Sequence, residues 1–117
     1  MPVHAAKIKY FNLFCETYHS IQPDIDLNII ISENEIDLLH LYTKYVDEEN
    51  IIKCIDTSNI PCPTSYKQIH ALNYLLKSEK YVGYALVDCD SIILRKGFEN
   101  SFINFSQNKK YSCSALL

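Results

Sequence analysis

Short β-branched runs that alternate with segments of helical period constrain this chain more than any other feature. Asp26 to Ser32 (DLNIIIS) and Ile51 to Ile55 (IIKCI) are rich in isoleucine and too short for a helix. Flanked by Pro23-Asp24 and by Ser32-Glu33-Asn34, the first reads as a buried strand, and the second reads likewise. Val82 to Val87 reads as the most buried strand of all, with Gly83 marking a close approach of a neighbouring backbone. Ile92 to Leu94 starts a further extended piece.

Between these runs the apolar residues change period. Over Ala5 to Tyr18, Ile8, Phe11, Cys15 and Tyr18 share one helical face, and Pro23 ends the helix. A helix is predicted from about Glu33 to Glu48, opened by a Ser32/Glu35 capping box and striped by Leu38, Leu39, Tyr42, Tyr45 and Val46. Asp47-Glu48-Glu49 reads as its solvated end. Pro61 and Pro63 mark a loop, after which Thr64 or Ser65 caps a third helix reaching Lys77 with Ile69, Leu72, Asn73 and Leu76 on one side. After Gly97 the pattern fits helix or strand, and Asn104 to Lys110 reads as a polar turn. Short strands alternating with helices imply right-handed crossovers. The fold class is α/β, a Rossmann-like, mostly parallel sheet with helices on both faces. At 117 residues the chain is expected to form one domain over 1–117.

Composition removes several functions. Net charge is −3 and the lysines are scattered, so a phosphate-tracking nucleic-acid face is not expected. No apolar run approaches the ~20 residues of a membrane span, and Lys7 and Lys9 interrupt any signal-like start. The expected setting is cytoplasmic, with work at a membrane surface left open. The five cysteines, at 15, 54, 62, 89 and 113, form no CxxC pair and read as free thiols. His19, His40 and His70 have no metal-ligand spacing, and Tyr42, Tyr45, Tyr74 and Tyr84 read as packing residues. Gly83 and Gly97 are the only glycines, which argues against a Gly-rich phosphate loop.

The residues that carry chemistry are Asp88 and Asp90, at the end of the apolar run. Two apart on a strand, they point to one side while Cys89 points to the other. Ligands of open parallel sheets collect at the carboxyl ends of the strands, where this pair is expected. Mg²⁺ and Mn²⁺ take one or two carboxylates together with waters and substrate phosphates. The blander reading is that Asp-x-Asp caps a turn.

Ser65 to Leu72 (SYKQIHAL), Tyr81 to Asp90 and Ser91 to Arg95 together resemble GT-A-type glycosyltransferases, in which a helix leads into an apolar strand ending in a DxD motif. The resemblance implies a nucleotide diphosphate sugar donor, commonly a UDP-sugar, held with Mn²⁺ or Mg²⁺, and a glycan or lipid-linked acceptor hydroxyl. It implies Asp90 as direct metal ligand, and Asp88 as a ribose contact or a metal ligand through water. It sets Lys67 beside the donor as a partner of the diphosphate or of Asp88. A solvated helix-start lysine is the other reading of Lys67. Pro2 to Lys7 resembles the base-contacting loop after the first strand, with His4 at the nucleotide or merely exposed; that first strand is not evident. With the short stretch after Asp90, this implies a partial domain, inactive alone, whose unpaired edge promotes self-association. Two other classes compete: a non-catalytic nucleotide-binding or interaction fragment, and a haloacid-dehalogenase-type phosphatase with Asp88 as nucleophile.

Overall fold

The computed structural model describes residues 1–81, 83–92 and 95–107. A 3₁₀ turn at Ala5–Lys7 leads into α1 (Ile8–Ile21), followed by β1 (Ile29–Ser32). A 3₁₀ stretch at Glu33–Leu38 runs into the short α2 (Leu39–Tyr42), and a 3₁₀ turn at Glu48–Asn50 precedes β2 (Ile51–Cys54). The chain continues through α3 (Pro63–Ser78) to α4 (Glu99–Ser106). The architecture is α/β, with β1 and β2 paired in parallel from Ile29↔Ile51 to Ser32↔Cys54.

In place of a first strand, the described residues have one isolated bridge ahead of β1. Pro2 forms a parallel bridge with Ile30: the Ile30 amide donates to the Met1 carbonyl (3.0 Å), and the Val3 amide donates to the Ile30 carbonyl (3.2 Å). This register uses the N–H of Val3 and the C=O of Met1, so the N–H that proline lacks is never needed. Three residues with a central proline are too few to show a strand period, which is why the pattern missed them. β1 thus has neighbours on both sides, and all four of its residues are buried.

Successive β1 side chains enter different clusters, as a period of two requires. Ile29 and Ile31 pack with Phe11, Phe14, Cys15 and Tyr18 of α1 and with Tyr42 and Val46, whereas Ile30 packs with Ile52, Cys54 and Ala71 of α3. Phe11 meets Tyr42 edge-on at a centroid distance of 5.1 Å. The α1 face is the one its spacing predicts. The helix stops where Gln22 turns left-handed (φ 52°), its amide still bonded to the Tyr18 carbonyl, just before Pro23.

Three expectations need correction. The helix predicted over Glu33 to Glu48 is a 3₁₀ stretch and one α turn, and Glu35 does not cap the start at Ser32. Its carboxylate instead receives the Ala5 amide and the Lys67 ammonium. On α3 the buried residues are Lys67 and Ala71, with Tyr66 and Leu75 packed beside them, while Ile69 and Leu76 are 61% and 60% exposed. Apolar periodicity chose the wrong face there because a lysine heads the buried one. The N-cap is Cys62 ahead of Pro63, without a side-chain cap bond. Finally, residues 83–87 form no strand: Gly83, Ala85 and Leu86 are exposed, and no atom lies within 4 Å of a Cβ built on Gly83. Tyrosine hydroxyls tether this stretch, Tyr84 to the Leu75 carbonyl and Tyr81 to Asp26. Only its end, Val87 and Cys89, reaches the core.

The segment after Gly97 is helical through Ser106. The turn expected over Asn104 to Lys110 is α-helical as far as Ser106; its part beyond Gln107, with Val82, Ile93, Leu94, Cys113 and the Tyr111 to Leu117 stretch, lies outside the described residues. Among those described, no helix is long and apolar enough to cross a membrane.

Two substitutions separate the buried core from this peripheral stretch. Phe11→Ala is expected to lower stability by about 3–5 kcal/mol. Gly83→Leu, with open space around it, is expected to stay within about 0.5 kcal/mol of the parent. Urea midpoints measure both, and a large loss for Gly83→Leu would show that the stretch packs against a partner.

Candidate functional site

Because the extended segments run in parallel, their carboxyl ends lie together, and polar residues follow each of them. Val3 leads to His4 and Lys7, Ser32 leads to Glu35, and the loop after Cys54 leads to Thr64 and Lys67 on α3. At the centre is Lys67, whose side chain is wholly buried. Its ammonium donates to the Val3 carbonyl (2.6 Å) and to Glu35 Oε2 (3.1 Å), and lies 3.3 Å from His4 Nδ1. Three donors thus meet three acceptors, the condition for burying an ammonium. Glu35 is equally occupied: Oε1 receives the Ala5 amide at 2.9 Å and Oε2 also receives the Ser32 hydroxyl at 3.3 Å. His4 Nε2 lies 2.9 Å from Thr64 Oγ1.

The electrostatics follow from this packing. Burial depresses His4 below its ordinary value, and the adjacent Lys67 charge depresses it further. For Glu35 burial pushes upward, but the Ala5 amide and the Lys67 ammonium outweigh it and hold the carboxyl below its ordinary range.

Asp88 and Asp90 lie on a turn closed by the Ser91 amide on the Asp88 carbonyl (3.1 Å). Both are exposed while Cys89 is buried, but the pair sits on a turn and not at the end of a strand as the sequence reading expected. Asp90 Oδ2 accepts a 2.7 Å bond from the Lys7 ammonium, which brings the turn to the loop after Val3. That bond holds the Asp90 carboxyl below its usual range and raises Lys7.

The structure therefore joins His4 to Lys67 and Asp90 to Lys7. It does not join Lys67 to Asp88, and Lys67 is not the solvated helix-start lysine of the sequence reading. Sequence reasoning missed Lys7, Glu35 and Thr64. Glu35 carried a signal, since it lies three residues after Ser32, but the signal was taken for a cap. Thr64 and Lys7 carried none, because their partners lie 60 and 83 residues away.

Among the described residues, no group of three or more His, Cys, Asp or Glu is placed to hold a metal ion. Asp88 and Asp90 are two exposed carboxylates, and Asp90 is paired with the Lys7 ammonium. A groove of about 350 Å³ beside β2 is lined by Leu39, Glu48, Ile51, Ile52, Lys53 and Tyr74, none of them a residue of this cluster.

Removing Lys67 should be costly. Lys67→Ala leaves Glu35 uncompensated and is expected to lose about 3–5 kcal/mol, whereas Lys7→Ala, on an exposed pair, should leave the urea midpoint nearly unchanged. An equal response from both variants would contradict the burial of Lys67.

The cluster also sets a pH dependence. With a native value below the ordinary 6.5, His4 takes up its proton first in the unfolded chain, so stability falls as pH drops below about 6.5 until native His4 also protonates. Glu35 contributes fully above its ordinary 4.5, and that contribution is lost as pH falls further. The Met1 amine, pushed down to about 6 by burial from 8.0, adds a loss that runs as pH falls from about 8 to about 6, mostly above the histidine's. His4→Gln isolates the histidine: it should flatten the profile just below pH 6.5 and leave the acid limb in place. An unchanged slope there would show that His4 does not titrate differently on folding.

Searches of protein-family models, curated proteins and solved structures find no match to the chain.

Proposed function

We propose that the chain is the donor-binding part of a glycosyltransferase-like protein with a Rossmann-like, GT-A-type sheet. It binds a nucleotide diphosphate sugar, a UDP-sugar in the favoured reading, at the carboxyl ends of its parallel segments. The observation that carries this reading is the meeting of two sequence-distant elements there: the exposed Asp88/Asp90 turn and the His4 to Lys7 loop, linked through Lys7 and Asp90. A DxD pair beside the loop after the first strand is the relation that the GT-A resemblance implies. The parallel pairing of Met1 to Val3, β1 and β2 is consistent with it.

Asp90 and Asp88 would hold Mn²⁺ or Mg²⁺, and the ion's chemistry would be to neutralise charge on a departing diphosphate. The chain's own residues do the rest. Asp88 accepts from a ribose hydroxyl or from a metal-bound water. Lys7 presents a cation beside the carboxylates, close to where phosphate oxygens gather. His4 and Thr64 line the nucleotide side. Lys67 acts from beneath, by fixing His4 and the Val3 carbonyl, and not as a direct diphosphate ligand. The acceptor is the hydroxyl of a glycan or lipid-linked molecule. The setting is cytoplasmic, and self-association through the outer edge of β2 belongs to the same reading.

The test is calorimetric titration of UDP with Mn²⁺ and with EDTA. Binding is expected with the metal and to be lost with EDTA, and Asp90→Ala is expected to abolish the difference. Asp88→Asn should weaken UDP more than it weakens Mn²⁺. Equal UDP affinity with Mn²⁺ and with EDTA would overturn the proposal.

A further inference from the structure

The hydrogen bonds of the buried cluster have a direction, and the direction determines what the cluster can offer a ligand. A lysine ammonium has three donors and no acceptor. With Lys67 Nζ 3.3 Å from His4 Nδ1, that ring nitrogen must accept. A neutral imidazole with an accepting Nδ1 carries its proton on Nε2. Nε2 lies 2.9 Å from Thr64 Oγ1, so the hydroxyl oxygen receives the histidine N–H. The remaining proton of Thr64 has no recorded acceptor among the described residues, and the side chain is half-exposed near the start of α3. The order runs from the Glu35 carboxylate through Lys67 and His4 to the Thr64 hydroxyl, each member polarised by the one before it.

This order also excludes an otherwise attractive role. Histidine next to a threonine hydroxyl suggests a base activating a nucleophile. Here the histidine donates to that hydroxyl, so Thr64 is not deprotonated by His4.

We propose that Thr64 is the residue through which this cluster touches a ligand: a hydrogen-bond donor, fixed as such by Lys67 through His4, for an acceptor oxygen of the bound nucleotide. Lys67, Glu35 and His4 are positioning residues. The ligand-touching role rests on the nucleotide reading above, whereas the order of hydrogen bonds stands on geometry alone. The oxygen belongs either to the nucleobase carbonyl or to the diphosphate, and the two share the same chemistry toward Thr64.

Two measurements test this on the full chain. The first is the ¹⁵N NMR signature of His4 in the unliganded wild type at about pH 8, where the ring is neutral. The expected state is protonated at Nε2, and a ring protonated at Nδ1 would overturn the order. The second compares Thr64→Val and Thr64→Ser in titrations with UDP, uridine and inorganic pyrophosphate in the presence of Mn²⁺. Thr64→Val is expected to weaken UDP about three- to tenfold, the loss of one hydrogen bond, and Thr64→Ser to restore it. A parallel loss for uridine assigns the oxygen to the base, and one for pyrophosphate assigns it to the diphosphate. Unchanged UDP affinity in Thr64→Val would overturn the ligand-touching role while leaving the nucleotide reading intact. Absence of UDP binding by the wild type would overturn both, and the histidine signature would still be decided by the first measurement.

Discussion

A single buried ammonium, that of Lys67, fastens the carboxyl end of this fold. It holds the Val3 carbonyl, the Glu35 carboxylate and the His4 ring, which come from the amino-terminal segment and from the corner after β1. A buried ion pair is a weak source of net stability, since desolvation opposes its attraction. Its value here is in specification. Lys67 can be buried only if all three partners arrive, so α3, the amino-terminal segment and the Ser32 to Glu35 corner are set in one mutual arrangement. The Ala5 amide and the Ser32 hydroxyl complete the shell of Glu35, leaving no half-satisfied member.

The sheet below depends on the same fastening. Met1 to Val3 is a very short extended segment, held to β1 by two backbone hydrogen bonds and by the buried side chain of Val3. Lys67 on the Val3 carbonyl adds to these, as do the Met1 amine on the Asn28 carbonyl (2.9 Å) and the buried Met1 side chain. With these contacts, β1 has a neighbour on each side and its isoleucines serve two clusters, and His4 and Lys7 are placed at the carboxyl end of the parallel segments. Lys7 then meets Asp90, so a local arrangement of backbone becomes the link between the two most distant parts of the site.

Much of the architecture was legible from period alone. The isoleucine runs are strands because β-branched residues fit a pleat, and α1 follows from Ile8, Phe11, Cys15 and Tyr18. What escaped was governed by polar residues and by distant partners. The buried face of α3 could not be read, because Lys67 looks like a surface residue until the acceptors that surround it are known. Glu35 three residues after Ser32 is the pattern of a cap, and only tertiary structure redirects the carboxylate. The apolar run ending at Val87 is neither paired nor deeply buried among the described residues, so hydrophobicity overstated its place in the core. Asp88 and Asp90 were visible as exposed carboxylates on either side of a buried cysteine, but Lys7, the cation that faces them, was not.

In the proposed reading a nucleotide diphosphate binds at the carboxyl end of the parallel segments, and not in the groove beside β2. Amide chemical-shift mapping with UDP and Mg²⁺ tests that claim most directly. The expected result is a set of shifts confined to His4 to Lys7, Thr64 to Lys67 and Asp88 to Ser91, abolished when the metal is removed. Shifts centred instead on Leu39, Ile51 to Lys53 and Tyr74, or none at saturating UDP, would contradict it.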